Sequence, residues 1–351
     1  MIRSTVWVVI AVAVFSALAT GAMRSYALHK SLLDFPNTRS SHAAPVPRGG
    51  GVALVSAFFF GSLTLTCLGV LGAEVARALL GASAWVALVG FLDDRKSLPS
   101  SVRLCVQLGS AVLLVGLLGG VPAADLARWG LHGTLAGDAI AVLVLVWSTN
   151  LFNFMDGIDG IAGSEAIFMA TSLGYLNWYA GGNFGVTAAM LCLASATLGF
   201  LVWNWPPARI FMGDVGSGFL GFALAALGLT ASRQRALPLE TLGILGGVFF
   251  VDATITLLRR LFRGERVSQA HRTHAYQHLA RRLGSHRTIT LGVWFINVFW
   301  LFPWAWFALR HQGFVGVALF AALAPLAIFL AWAGSGKPEA KSAHASGIAR
   351  D

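Results

Sequence analysis

Charge is scarce in this chain of 351 residues: Asp, Glu, Lys and Arg make up 11% of it, against about 25% in a soluble globular protein. That deficit excludes an ordinary water-solvated domain. Cysteine is nearly absent as well. Cys67, Cys105 and Cys192 all sit in apolar runs, and an odd, unpatterned count excludes a disulfide framework and a zinc site. They read as small buried hydrophobes. The weak alternation of a transmembrane barrel is also missing. No internal repeat and no soluble domain is visible.

What the chain does have is apolar length. Hydrophobic residues make up 56% and mean hydropathy is +0.72. Continuous runs such as Ala139–Trp147 and Leu242–Phe250 point to helices, which need about 20 mostly apolar residues to cross a bilayer. The expected fold is therefore an all-α, polytopic transmembrane helical bundle of about eleven spans. They fall at roughly 5–23, 50–70, 74–92, 102–120, 136–152, 162–180, 184–203, 216–231, 239–258, 288–309 and 313–333, within a few residues. Residues 1–333 form a single integral membrane domain, and 334–351 read as a disordered polar tail. Arg3 before the first apolar run and Ala17-Leu18-Ala19 after it admit a cleaved leader. An uncleaved first helix fits better, since the positive residues mostly follow the run.

A net charge of +10 invites a nucleic-acid partner, but excess Lys and Arg in a membrane protein usually sets orientation. With the N-terminus periplasmic and the C-terminus cytoplasmic, nineteen of the 25 basic residues fall inside and six outside. No nucleic acid is needed to explain them.

The unusual polar residues then collect on the cytoplasmic side. Asp93-Asp94 end the third span. Asn150, Asn153, Asp156 and Asp159 follow the fifth. Asn204 and Asp214 lie between the seventh and eighth, and His271, His274 and His278 between the ninth and tenth. Each group has a plain structural alternative. The paired acids could be a solvated helix end, although adjacent carboxylates repel and a cation would relieve that. Asn153, Asp156 and Asp159 are spaced to stack on one helical face, with Gly157 and Gly160 allowing close backbone approach. Asp214 between glycines could cap a helix or sit where phosphate meets backbone amides. The three histidines could share a helical face, or belong to an ordinary positive loop. Asp252 lies about 10 Å inside the ninth span. A carboxylate there is functional by default, or is a buried structural pair.

Taken in order, these segments resemble the polyprenyl-phosphate N-acetylhexosamine-1-phosphate transferase superfamily, glycosyltransferase family 4. The resemblance runs from Asp34 to about His278. It includes Asp34-Phe35-Pro36-Asn37, Pro47-Arg48-Gly49-Gly50-Gly51, Asp93-Asp94-Arg95, Asn150 to Gly160, Phe211-Met212-Gly213-Asp214-Val215-Gly216-Ser217 and the histidine loop. Related enzymes often carry adjacent histidines there. The spaced His-Arg-Thr-His-Ala-Tyr-Gln is similar to the subgroup that initiates O-antigen or other surface glycans with amino sugars.

The resemblance implies roles. Asp214 and Asn153 would hold Mg²⁺, with Mn²⁺ as an alternative. Asp93, with Asp94 beside it, would bind or deprotonate the lipid phosphate, and Asp156 would stand at the centre of the metal and phosphate network. Gly157, Asp159, Asn204 and Phe211 would hold the uridine. Arg103, His271, Arg272 and His274 would contact phosphates and sugar. The partners implied are a UDP-N-acetylhexosamine, undecaprenyl phosphate and membrane lipids, in a bacterial inner membrane; a homodimer is left open. The expected reaction gives undecaprenyl-diphospho-N-acetylhexosamine and UMP, by direct attack in preference to a covalent Asp-phosphosugar. Two rivals compete. A CDP-alcohol phosphotransferase would need an Ala-Arg after Asp156-Gly157, which is missing. A transporter would place its acids near the midplane within repeats.

Overall fold

The computed structural model describes residues 1–36, 44–234, 236–265 and 271–338. Asn37 of the first motif and residues 339–351 of the expected tail lie outside the described residues.

The chain is a helical bundle. In order come α1 (Ile2–His29), α2 (Gly50–Cys67), α3 (Ala73–Arg95), α4 (Ser100–Leu118), the short α5 (Ala123–Arg128), α6 (Thr134–Met155), α7 (Ile161–Tyr179) and α8 (Phe184–Asn204). Then follow α9 (Asp214–Arg233), α10 (Glu240–Leu245), α11 (Gly247–Phe262), α12 (Ala275–Leu283), α13 (His286–Ile296), α14 (Phe302–Arg310) and α15 (Val315–Ala333). A π turn over Asn297–Leu301 joins α13 to α14. The sheet content among the described residues is one antiparallel pair, β1 (Leu33–Asp34) and β2 (Val46–Pro47), with Leu33 opposite Pro47.

Every expected span coincides with helix. Nine helices among the described residues are long and apolar enough to cross a membrane. The other two expected spans differ for visible reasons. Helix α7 has the length, 19 residues, but carries Glu165, Asn177 and several hydroxyls along it. The ninth is broken at Gly246 into α10 and α11.

Helix α9 is the axis. Its apolar window is wholly buried, and α2, α3, α6, α7 and α8 pack around it. Glycines let its neighbours in: a β-carbon on Gly51 of α2 would lie 2.5 Å from the Gly216 nitrogen, and one on Gly221 would collide with the Ser148 carbonyl of α6. The peripheral helices turn Trp7, Leu18, Phe320, Ile328 and Trp332 outward, the face a hydrocarbon solvent requires. Cys192 is buried as expected, but Cys67 and Cys105 are exposed on that outer face.

The expected tail begins too early. Gly334 to Lys337 pack back onto the bundle, with Ser335 fully buried and the Gly336 amide donating to Thr273. The histidines do not share one helical face either. Helix α12 starts at Ala275, so His271 precedes it, His274 is its N-cap and His278 lies within it.

Candidate active site

The C-terminal ends of α3, α6 and α8 and the N-terminal ends of α2, α9 and α12 meet at one end of the bundle. Local pairing fixes them there. The Gly50 and Gly51 amides donate to the carbonyls of Phe211 and Met212 at 2.9 Å, and the Phe211 amide donates to Pro47 at 2.8 Å. The first-loop motif is thereby zipped along the strand-like segment that leads into α9.

Helix α6 stops at Met155, with Asp156 as its C-cap. Asn153, Asp156 and Asp159 therefore do not stack on a helical face. The turn after α6 brings them to one cleft instead. That cleft is lined by Asp34, Arg48, Asn153, Asp156, Gly157, Asp159, Asn204, Phe211, Asp214, Ser217, Gln277 and His286, with Ile158, Met212 and Gly213 between them. Seven residues expected at the site are among them: Asn153, Asp156, Gly157, Asp159, Asn204, Phe211 and Asp214.

Asp93, Asp94 and Arg103 form the wall behind Asp214. Arg103 Nη1 lies 2.7 Å from Asp93 Oδ2 and 3.4 Å from Asp214 Oδ2. The other Asp93 oxygen accepts from the Leu98 amide at 2.6 Å. Asp94 accepts from the Asp214 and Val215 amides at 2.9 and 3.1 Å. Capping of α9 therefore comes from α3, and Asp214 is not the cap of its own helix. Its carboxylate is free to face the cleft. Arg48 approaches Asp94, Nε to Oδ1, at 3.9 Å.

Asn204, Asp159 and Asn153 are each held by hydrogen bonds. Asn204 accepts from the Gly160 amide at 3.0 Å and donates to the Ile210 carbonyl at 3.0 Å. Asp159 accepts from Ala208 at 3.1 Å and pairs with His286 at 3.3 Å. Asn153 donates to Ser217 Oγ at 3.2 Å. Gly157 is needed for room, since a methyl group there would run into the Tyr276 hydroxyl.

The late-loop residues fare differently. His271, Arg272 and His274 do not line the cleft. His274 is 2% exposed, its Nδ1 3.8 Å from Asp252, and its ring lies 5.0 Å from that of His271. Burial and the neighbouring His274 push His271 down to about 3. Asp252 itself is fully buried in α11, against the start of α12, so the structural pair is the geometry found. Gln277 and His286 reach the cleft in their place. Sequence reasoning gave no role to either or to Ser217: Gln277 and Ser217 stood in recognised motifs, and His286 lay beyond them, a lone His with no periodic signal. Arg48 and Asp34 stood in recognised motifs without a role.

The cleft holds excess negative charge: Asp34, Asp156, Asp159 and Asp214 line it against the guanidinium of Arg48. Burial, followed by the charge of Asp214, raises Asp156 well above the ordinary carboxylate range. A cation would relieve this. Among the described residues no group of three His, Cys, Asp or Glu could hold a metal alone. The donor set is hard oxygen in small number, which suits an Mg²⁺ that keeps waters and substrate phosphates.

Fold and site together define a polytopic helical membrane protein with an acidic, guanidinium-braced cleft at one end of its bundle. Comparison with known proteins narrows this class. The glycosyl transferase family 4 model matches residues 76–232. The "Decaprenyl-phosphate N-acetylglucosaminephosphotransferase" of Mycobacterium tuberculosis is 30% identical over 321 residues, 83% of this chain and 79% of its own. The "Probable undecaprenyl-phosphate N-acetylglucosaminyl 1-phosphate transferase" of Bacillus subtilis is 28% identical, covering 80% and 78%. The "Phospho-N-acetylmuramoyl-pentapeptide-transferase" of Moorella thermoacetica is 36% identical over 50% of this chain and 61% of its own. The chain belongs to glycosyl transferase family 4, within the superfamily of polyprenyl-phosphate hexosamine-phosphate transferases.

Proposed function

We propose that this transferase moves N-acetylhexosamine-1-phosphate from a UDP-sugar to undecaprenyl phosphate, releasing UMP, at the cytoplasmic face of a bacterial inner membrane. The product would open the synthesis of an O-antigen or related envelope glycan. One observation carries the reading: Asp93, Asp156 and Asp214, from three distant segments, converge with Arg48 and Arg103 at one end of a membrane bundle.

The reaction brings two anions together. An oxygen of the lipid phosphate attacks the β-phosphorus, the bond to UMP breaks, and charge grows on the departing UMP. Arg48 and Arg103 offset that charge. Asp93, held by Arg103 and the Leu98 amide, is placed to bind or deprotonate the acceptor. Asp214 and Asn153 would hold Mg²⁺, with Asp156 beside them. The ion would neutralise phosphate charge and orient the donor. Gly157, Asp159, Asn204 and Phe211 would receive the uridine. A groove of about 320 Å³ beside α6 is walled by Trp147, Leu151, Phe152, Phe250 and Leu323. Its apolar lining suits a prenyl chain, which explains why this chemistry is done on a membrane fold.

The test is purified protein with undecaprenyl phosphate, Mg²⁺ and a panel of UDP-sugars, scoring UMP release and the mass of the lipid product. Turnover with a UDP-N-acetylhexosamine is expected, falling at least about a hundredfold in Asp214→Asn and Asp93→Asn. Near wild-type turnover in both folded variants refutes the assigned roles. Absence of UMP with every donor refutes the reaction.

A further inference from the structure

Asp252 is a buried acid for which the proposed reaction has no use. Its surroundings are specific. It is fully buried in α11, and both its oxygens are taken. Oδ1 accepts from the Ala275 amide at 2.9 Å and from Ser335 Oγ at 2.6 Å; Oδ2 accepts from the Tyr276 amide at 3.2 Å. Thr256 Oγ1 adds a longer bond at 3.3 Å. One carboxylate thus ties the first turn of α12 to the segment after α15.

That segment is shaped for the purpose. Gly334 and Gly336 both have positive φ, +117° and +69°, a region that side chains disfavour. They bracket Ser335 and turn it inward. A β-carbon on Gly336 would stand 3.0 Å from the Thr256 Cα. The Arg259 guanidinium donates to the carbonyls of Ala331 and Ser335 at 3.2 and 2.6 Å. The Gly336 amide donates to Thr273 at 2.6 Å, and His278 Nε2 meets the Lys337 carbonyl at 3.1 Å.

The other side of α12 faces the cleft. Gln277 lines it while its Oε1 accepts from the His274 amide at 3.3 Å, which leaves the amide nitrogen as its outward donor. Tyr276 donates to the Phe154 carbonyl at 3.1 Å, beside Gly157.

We infer that Asp252 and Ser335 are positioning residues: they latch the C-terminal segment to α12 and so set Gln277 against the donor side of the cleft. The functional half of this inference rests on the proposed reaction. The latch itself does not.

Two readouts separate them. The first is amide exchange over residues 271–280, in wild type, Ser335→Ala, Asp252→Asn and a chain ending at Gly334. Loss of the latch should speed exchange at Ala275 and Tyr276 by about tenfold or more, with Ser335→Thr restoring protection. The second is steady-state kinetics. The same variants, and Gln277→Ala, should raise KM for the UDP-sugar by about tenfold, leaving KM for the lipid and kcat within about twofold. Unchanged exchange in Ser335→Ala and the truncated chain overturns the latch. Faster exchange with an unchanged donor KM overturns the positioning role. If wild type releases no UMP, the proposed function fails while the exchange result still decides the latch. If Asp252→Asn does not fold, Ser335→Ala and the truncation carry the test.

Discussion

Asp94 and Asp214 show how neighbouring carboxylates divide their tasks by where the backbone amides point. The two free amides at the start of α9 both bond Asp94, so its charge is spent on a helix end. Asp214 keeps one oxygen toward Arg103 and faces the cleft. Gly157 shows the steric counterpart. Its hydrogen is all that fits between the turn after α6 and the Tyr276 hydroxyl. Gly157→Ala should therefore push α12 off the cleft, costing about 1–3 kcal/mol of overpacking. We expect a lower melting temperature and at least about a tenfold loss of turnover. A variant matching wild type in both measurements would show that this contact is slack.

At the scale of elements, a polar cross-link joins α7 to the turn between α13 and α14. Glu165 of α7 accepts from Asn297, the residue that opens the π turn between α13 and α14. Glu165 Oε1 and Asn297 Oδ1 are both buried without a partner. A glutamine at 165 keeps the existing acceptor and adds an N–H for Asn297 Oδ1. Glu165→Gln should accordingly melt no lower than wild type, whereas Glu165→Ala strands the Asn297 amide at a cost of about 1–3 kcal/mol. Thermal melts in one detergent check both; a Gln variant melting below the Ala variant would contradict the pairing. The broken span α10–α11 belongs to this scale too. The break at Gly246 leaves α11 with 16 residues, and Asp252 lies in its first half.

For the whole molecule, stability should depend on pH through the late loop. His271 is held at about 3, by burial first and by His274 second, while an unfolded histidine titrates near 6.5. Below that value the unfolded chain binds the extra proton, so its contribution to stability is complete above about pH 6.5 and falls as pH drops toward 3. His271→Gln should lose less melting temperature between pH 7.5 and 5 than wild type does. Equal losses would mean that His271 protonates freely in the fold.

Much of this was legible in the residues. Scarce charge and long apolar runs determine a helical membrane bundle, because a bilayer admits only helices and closed barrels and the runs lack a barrel's alternation. The order of the acidic motifs points to a shared site, and Asp156, Asp159, Asn204, Phe211 and Asp214 do meet. Sequence spacing misled where a helix ended sooner than its period suggested, at Met155, and where the next one began later, at Ala275. It could not reveal that Asp94 caps a helix 120 residues away, that His274 turns inward while Gln277 and His286 reach the cleft, or that Ser335 belongs to the core. Those outcomes depend on which distant backbone amides and side chains arrive beside each group. Only three-dimensional packing decides that, whereas hydrophobicity and helical period act locally and can be read along the chain.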